Sequence, residues 1–574
     1  MPEKVLIIGA VALGPKVACR LRRINPDVEI TVIDRDSLIS YGGCGIPYYV
    51  GGDVAELEGL YSTIAHAKRD VEFFSKVKGF NVLTRVEATR IIPSEKKVMI
   101  RRLDQDGDGE DALFYDKLVL ATGASPVTPP IPGVDLPQVH VISNLHHAQA
   151  VKSAISRGEV ERAVVIGAGA VGIEMAEALA DLWGIETTIV EMADQVLPQA
   201  LSRDMARIVE KKLRDSGVNL MLSERVTGIL GNGENRVESV ETTVSRLPCD
   251  MVILAAGVRP NSELAKEAGL ALGKNRGILV NKRMQTSDPH IYAGGDCAEF
   301  MNLVSGEECI MPLGSLANRQ GRIIAANING GNEQFPGSVG TFCIKVFDMG
   351  VAAAGLNLAQ ARAAGFDPAH VTVAQSDRAH FFPDADFMFM KLIADKKNRK
   401  ILGIEAAGPQ GDAVKSRVDA VAVMLHLGIT VSDVCALEVA YSPPYASAMD
   451  IVNNAGNALD NILNSSLKSG DTFEFLEKFQ QGKAKVLDVR SRTQAEPFTA
   501  KYGDRWINIP QDEIRERYNE LGDAAQGEEP LYIICGTGPR SYEIQVFLAS
   551  KGITNTLNVE GGYGMVLAIH EPLV

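Results

Sequence analysis

The sequence predicts an α/β protein of several domains, built around two dinucleotide-binding βαβ units, one inserted into the other. Three observations carry this. First, the apolar run KVLII (Lys4 to Ile8) enters Gly9-Ala10-Val11-Ala12-Leu13-Gly14, a helical pattern follows to about Arg23, and VEITVID closes the unit at Asp34. Second, the same order returns in AVVIGAGAVGIE (Ala163 to Glu174) and ends in TTIVE at Glu191. Third, LVLATGA (Leu118 to Ala124) and MVILAAGVRPN (Met251 to Asn261) are apolar strands ending in small-residue turns, and TSDPHIYAGGDCAEF (Thr286 to Phe300) follows the second. A chain of 574 residues is too long for one core, so three or four domains are expected.

Each element has a physical reason. Gly167-x-Gly169-x-x-Gly172 follows a strand and opens a helix, where glycines let the backbone turn and approach a pyrophosphate at the helix N-terminus. Glu191 falls 19 residues after Gly172, where a carboxylate holds a ribose 2′-hydroxyl and repels a 2′-phosphate; no arginine follows closely, so NADH is favoured over NADPH. In the N-terminal copy Gly9 and Gly14 match, whereas Val11 takes the second glycine position; Asp34 at the strand end and Asp296 after a small-residue turn restore the pattern. Two such sites imply two dinucleotides, FAD and NADH, with flavin carrying the electrons between. The order assigns 1–125 and 255–330 to the outer, FAD-binding domain and 126–254 to the inner, NAD(H)-binding one. Alternating strands begin near Gly340, as in GTFCIKVFDMGVAAAG, and helices follow to about Asn457. Residues 458–470 read as a connector, and 471–574 carry a separate α/β pattern.

Composition excludes more than it assigns. A net charge of -14 argues against broad nucleic-acid binding, no apolar run is long enough to span a bilayer, and no leader precedes the first strand, so a cytoplasmic protein is expected. Eight scattered cysteines form neither a disulfide framework nor a metal site. Two sit in loops suited to sulfur chemistry. Cys44 lies in Ser40-Tyr41-Gly42-Gly43-Cys44-Gly45-Ile46-Pro47-Tyr48, and Pro47 suits a helix start. A thiolate near a helix N-terminus and an oxidised flavin has a lowered pKa, so Cys44 is expected to be a nucleophile at neutral pH. Cys535 opens Cys535-Gly536-Thr537-Gly538-Pro539-Arg540 between a strand and a helix, a nest of N–H groups suited to an anionic persulfide, with Arg540 holding the loop or attracting a donor.

Residues 1 to about 457 resemble the single-cysteine flavin disulfide reductases, especially coenzyme A-disulfide reductase, through GAVALG, SYGGCGIPY, ATGASP, GAGAVGIE, TSDPHIYAGGDCAE, PLGSLANRQGR, GTFCIKVFD and SPPYASAMD. Residues 471–574 resemble a rhodanese domain through LDVR (Leu487 to Arg490), NIP, CGTGPR and EGG (Glu560 to Gly562). The combination is similar to the coenzyme A-disulfide reductase–rhodanese fusions, which include NADH-dependent persulfide reductases. The resemblance implies an α+β dimerisation domain at 335–457, a homodimer, and a rhodanese-like α/β domain at 471–574. The candidate flavin residues are Gly9, Ala10, Gly14, Asp34, Arg35, Val82, Thr122, Gly123, Asp296 and Ala317, and those for NAD are Gly167, Gly169, Gly172, Glu191 and Gly257. For coenzyme A the resemblance nominates Lys16, Arg20, Arg23, Ser40, Lys78, Asn318 and Arg322, the cations suiting its phosphates.

One departure bears on substrate. The family supplies two aromatic hydroxyls near the substrate. Tyr445 matches one, but Arg378-Ala379-His380-Phe381-Phe382-Pro383 has phenylalanines where the other belongs. A hydroxyl that protonates a leaving thiolate is missing, which counts against coenzyme A disulfide and less against a persulfide, whose leaving group is less basic. Tyr445 or His380 would supply the proton. The resulting expectation is an NADH-dependent flavin persulfide or polysulfide reductase, with coenzyme A persulfide as a candidate substrate, Cys44 as nucleophile and Cys535 as relay. The alternatives are a coenzyme A-disulfide reductase, an NADH peroxidase or oxidase in which Cys44 cycles through sulfenate, and a sulfur carrier or transferase with a redox-sensing flavin part.

Overall fold

Apolar runs closed by glycine turns become parallel strands, since each strand buried on both faces needs no polar alternation. The computed structural model describes residues 2–104, 109–525, 527–570 and 572–574. It divides into two compact units, one of residues up to Met192 with Glu224–Ser338, the other of Ala193–Ser223 with Val339–Val574.

In the first unit a five-stranded parallel sheet has the order Ile291–Ala293, Lys117–Leu120, Lys4–Ile8, Glu29–Ile33, Asn81–Leu83. The chain thus leaves this sheet after Leu120 and returns to it at Ile291. The Leu13–Ile24 helix lies on this sheet through Leu13, Val17 and Leu21, with Arg22 and Arg23 in its last turn, where cations suit the dipole. The inner parallel strands run Glu186–Val190, Arg162–Ile166, Met251–Leu254, Val139–Val141. The two crossings of the chain are tied together by Asn261, whose N–H and side-chain amide donate to the Gly123 and Thr122 carbonyls at 2.9 and 2.8 Å.

The second unit holds two sheets. The antiparallel one has the order Phe342–Val346, Met349–Gly355, Ile401–Gly408, Phe387–Asp395, Pro368–Ser376, and the Gly411–Leu425 and Ile451–Leu463 helices pack on it. The C-terminal sheet is wholly parallel, in the order Ser469–Gly470, Thr556–Val559, Leu531–Ile534, Lys485–Asp488, Trp506–Asn508. One expectation changes. Residues 458–470 are not wholly a connector: the Ile451–Leu463 helix takes in the first six of them, and Ser469–Gly470 joins the C-terminal sheet. Their Asn and Ser content reads as loop, but Leu459 is buried and continues the helix's apolar face. Within residues 193–223, Asn219–Met221 joins the inner sheet beside Glu186–Val190, while Ser202 and Asp204 bond to residues of the antiparallel sheet.

A buried ion pair organises the antiparallel domain. Arg417 Nη2 donates to Asp450 Oδ2 at 2.9 Å and to the carbonyls of Asp377 and Tyr445 at 3.2 and 3.1 Å. Asp450 also caps the Ile451–Leu463 helix. Replacing Arg417 alone leaves a buried carboxylate unpaired, so Arg417→Met is expected to cost about 3 kcal/mol in chemical denaturation. The double variant Arg417→Met/Asp450→Asn removes the charge and keeps a cap, and should recover most of that loss.

Candidate active site

The two nucleotide turns are built by the same contacts. Gly9 and Gly167 both have φ of +109°, and a Cβ on either would lie 2.1 Å from the Ala121 carbonyl oxygen or 2.4 Å from that of Ala255. A Cβ on Gly14 or Gly172 would lie 1.9 or 2.0 Å from the carbonyl oxygen of Gly9 or Gly167. These four glycines let each helix seat on its strand end. The Ala10 N–H donates to Asp34 at 2.7 Å, and the Ala168 N–H to Glu191 at 2.7 Å, so each carboxylate is locked beside its turn. A Cβ on Gly169 would meet nothing within 4 Å, so the chain itself does not require glycine there, and Val11 in the other copy is accommodated.

Asp296 and Ala317 lie near the start of the Leu13–Ile24 helix. Leu13 lies against both Gly294 and Gly295, and Ala317 is in van der Waals reach of Gly295. Gln320 Oε1 accepts the Gly295 N–H at 2.7 Å, while its buried Nε2 has no partner among the described residues. Burial pushes the Asp296 carboxyl up to about 6. A buried amide donor and a desolvated carboxylate beside a glycine turn fit the phosphates and hydroxyls of FAD. Thr122 Oγ1 donates to the Asn261 carbonyl at 2.6 Å, and Val82 is buried in the neighbouring strand, so both shape the cradle, while Arg35 is exposed beside Asp34. In the inner site Gly257 has φ of +95° and accepts from the Val127 N–H at 2.9 Å.

Cys44 is an exposed residue in the Gly43–Gly45 turn that leads into the Ile46–Gly51 helix. That helix is pinned to the inner domain. Trp183 Nε1 donates to the Val50 carbonyl at 2.8 Å, Lys152 Nζ to that of Tyr49 at 2.7 Å, and Gly51 packs on Ala178. Within the protein chain, desolvation of the sulfur pushes the Cys44 thiol up, and the Glu174 and Asp296 carboxylates raise it further. Glu174 itself is pushed by burial up to about 7, although Tyr48 Oη contacts it at 3.5 Å. Glu174 lies two residues past Gly172 and was not singled out in the sequence; its motif shows it, but only the packing of two helices brings it to Cys44.

Among the coenzyme A candidates, Lys16, Arg23 and Lys78 converge, since all three act on the Cys19 thiol. Arg20 shares their helix, and its buried Nε has no partner among the described residues. Ser40 is buried with φ of +52°, its N–H donating to the Ala10 carbonyl at 2.8 Å, so it links the cysteine loop to the first nucleotide turn. Asn318 and Arg322 are exposed on the Gly314–Ile328 helix, and Asn318 turns back to the Gly314 carbonyl at 2.8 Å.

In the second unit the two aromatic segments meet. The Ala379 N–H donates to the Pro443 carbonyl at 3.1 Å, and Ser447 Oγ to that of Arg378 at 3.2 Å. Tyr445, His380 and Phe381 are all exposed there. Cys535 is fully buried at the end of Leu531–Ile534, and its Sγ accepts from the Gly538 N–H at 3.0 Å and Ser541 Oγ at 3.3 Å. Arg540 is exposed, folds back over Gly536, and pairs with no carboxylate among the described residues. It lines a cavity with Val489, Ser491, Pro510, Gln511 and Asp512. Asp488 and Arg490 form a buried bidentate pair, with Trp506 Nε1 on Asp488 at 3.0 Å, and so support the sheet.

Glu174→Gln removes a carboxylate that disfavours the Cys44 thiolate. Alkylation of Cys44 by iodoacetamide at pH 8 should therefore be roughly threefold to tenfold faster in the variant. The difference should fade below about pH 7, where Glu174 takes up a proton in the wild type. Coincident rate–pH curves for the two proteins would remove Glu174 as a cause.

Comparison with known proteins agrees with this geometry. The model of the pyridine nucleotide-disulphide oxidoreductases matches residues 3–321, and that of their dimerisation domain matches residues 341–452. The NADH oxidase of Methanocaldococcus jannaschii is 35% identical over 441 residues, covering 77% of this chain and 95% of its own. The NAD(P)H coenzyme A polysulfide/persulfide reductase of Pyrococcus horikoshii is 33% identical over 450 residues, covering 78% and 97%. The solved structure of an NAD-dependent persulfide reductase from A. fulgidus superposes with a TM-score of 0.91 at 38% identity, covering 98% of this chain and 99% of that one. The chain therefore belongs to the pyridine nucleotide-disulphide oxidoreductase family and is an enzyme that works with FAD and NAD(H).

Proposed function

We propose that this enzyme uses NADH to reduce persulfides or polysulfides, coenzyme A persulfide among them, and releases sulfide. In this reading Cys44 is the redox nucleophile, the C-terminal domain is rhodanese-like, and Cys535 is its sulfur-relay cysteine. The observation that carries it is the Cys535 sulfur held by a backbone N–H and a hydroxyl in a loop at a strand end, within the same chain as a lone Cys44 beside a nucleotide turn. The persulfide reductase from A. fulgidus, similar across both parts of the chain, supports it. A homodimer follows from the match to a dimerisation domain, and we place the enzyme in the cytoplasm.

The Cys44 thiolate attacks the outer sulfur of a persulfide R–S–SH, giving Cys44–S–SH and the thiolate RS⁻. Two electrons and one proton then convert Cys44–S–SH to the Cys44 thiolate and H₂S. Bound FAD would supply that electron pair from NADH. Gly9, Ala10, Gly14, Asp34 and Asp296 would hold it, and Glu191 would favour NADH by taking the ribose hydroxyl. A raised Cys44 pKa makes ionisation the residue's need, so a cationic environment from Lys16, Arg20, Arg23 and Lys78 would both seat the coenzyme A phosphates and leave the thiol's activation to the bound ligands. Tyr445 or His380 would protonate the departing thiolate, while Phe381 and Phe382 supply no hydroxyl, which disfavours coenzyme A disulfide.

The second reading is an NADH oxidase, favoured by the Methanocaldococcus jannaschii relative of that name and by a single redox cysteine that can cycle through sulfenate. It leaves the C-terminal domain without a task.

Anaerobic NADH oxidation by wild type, Cys44→Ser and Cys535→Ser, offered polysulfide, coenzyme A persulfide and coenzyme A disulfide, separates these. Stoichiometric sulfide from the first two substrates is expected, falling by a factor on the order of 100 or more in Cys44→Ser. Cys535→Ser should slow only the reaction with outside sulfur donors. Absence of sulfide, with oxygen or peroxide consumed once air is admitted, establishes the oxidase reading instead.

A further inference from the structure

One buried carboxylate, Glu560, links the C-terminal sheet to the edge of the antiparallel sheet. Glu560 ends the Thr556–Val559 strand and is 4% exposed. Its Oε1 accepts from Ser469 Oγ at 2.8 Å, and its Oε2 accepts the Thr372 N–H at 2.9 Å. Thr372 lies on Pro368–Ser376, the edge strand of the antiparallel sheet, so the carboxylate satisfies an N–H that would otherwise face an unpaired edge. His370 Nδ1 is 3.7 Å from the same oxygen. The Glu560 carbonyl accepts from Thr472 Oγ1 at 2.5 Å, and its N–H donates to the Gly470 carbonyl at 3.2 Å.

Behind Thr372 the anchor continues. Thr372 Oγ1 donates to Asp204 at 2.8 Å, and Lys391 Nζ donates to both Asp204 and Thr372 Oγ1, at 2.8 and 3.0 Å. Lys391 has no exposed surface. Glu405, tied to Ser202, and Asp471, which caps the Thr472–Gln480 helix, complete the buried group. Burial opposes ionisation of Glu560, but His370, Lys391 and Ser469 together hold its carboxyl below the ordinary range.

The next residues brace the sulfur loop. Gly561 and Gly562 turn with φ of +63° and +59°, and a Cβ on Gly562 would lie 2.6 Å from the Cys535 carbonyl oxygen. The Tyr563 N–H donates to that oxygen at 2.8 Å, and the Gly564 N–H to the Gly536 carbonyl at 2.8 Å. Because a trans peptide is planar, fixing these two carbonyls fixes the opposed N–H groups of Gly536 and Thr537. Those groups belong to the same loop whose Gly538 N–H already meets the Cys535 sulfur.

We propose that Glu560 is a positioning residue for sulfur transfer at Cys535, fastening the loop's supporting turn to the antiparallel domain so that the persulfide site is assembled by the docking of the two domains. This rests on the reading of Cys535 as a sulfur acceptor. Glu560 is buried and acts through Gly561–Gly564.

The full-length enzyme with Glu560→Gln, Glu560→Asp and Ser469→Ala tests it. Two quantities are followed at Cys535 by peptide mass spectrometry: the rate of persulfide formation with inorganic polysulfide, and the pH profile of alkylation. Flavin content and thermal melting report folding. Glu560→Gln is expected to slow persulfide formation at least tenfold at saturating polysulfide and to move the alkylation profile to higher pH, with Glu560→Asp recovering part of both. A Glu560→Gln enzyme with wild-type loading and an unmoved profile overturns the proposal. If Glu560→Gln is unfolded, Ser469→Ala decides, since it deletes one donor to the carboxylate: a loading rate reduced at least twofold supports the proposal, and a wild-type rate overturns it. Wild type that takes no sulfur at Cys535 overturns the sulfur-acceptor reading instead, and the alkylation profile still judges Glu560.

Discussion

A helix can stand with its N-terminus over the end of a buried strand only where no side chain lies between them. That constraint is met twice here, by Gly9 with Gly14 and by Gly167 with Gly172, each leaving about 2 Å between a would-be Cβ and a carbonyl oxygen. Everything downstream depends on it. The close approach sets the backbone N–H groups of both turns, lets Asp34 and Glu191 reach back to Ala10 and Ala168, and carries the Ser40–Cys44 loop on the first turn through the Ser40 N–H.

The cysteine is then placed by a second kind of contact, between domains rather than within a turn. The Ile46–Gly51 helix lies on the Ala170–Ala180 helix of the inner domain, so the carboxylate that acts on the Cys44 thiol, Glu174, comes from that domain. Burial raises both the Cys44 and the Glu174 pKa, and Glu174 adds to the shift at Cys44. The C-terminal domain shows the same economy, with Glu560 at once a strand end, a cap for an edge N–H and the start of the turn behind Cys535.

Much of the fold was legible because it rests on local rules. Strand–glycine–helix order placed both nucleotide units, the return of short apolar strands marked the interruption, and the loops around Cys44 and Cys535 stood out by their glycines. The reading that changed involves residues distant in sequence. Asn and Ser content at 458–470 looked like a connector, yet Leu459 is buried against another element and keeps the helix going. The bonds of Ser202 and Asp204 to Glu405 and Thr372 likewise join residues that no spacing along the chain relates.

The sequence by itself determined the kinds of site: where backbone turns tightly, which carboxylates end which strands, and which two cysteines sit among glycines. Spacing along the chain is enough for that, since turn, cap and strand chemistry act over a few residues. Only the tertiary structure decided the electrostatics. The Cys44 shift comes first from desolvation of the sulfur and then from Glu174 and Asp296, 130 and more residues away, and the bracing of Cys535 depends on Thr372 and Ser469. Charge and burial act through space, so no local pattern encodes their sign.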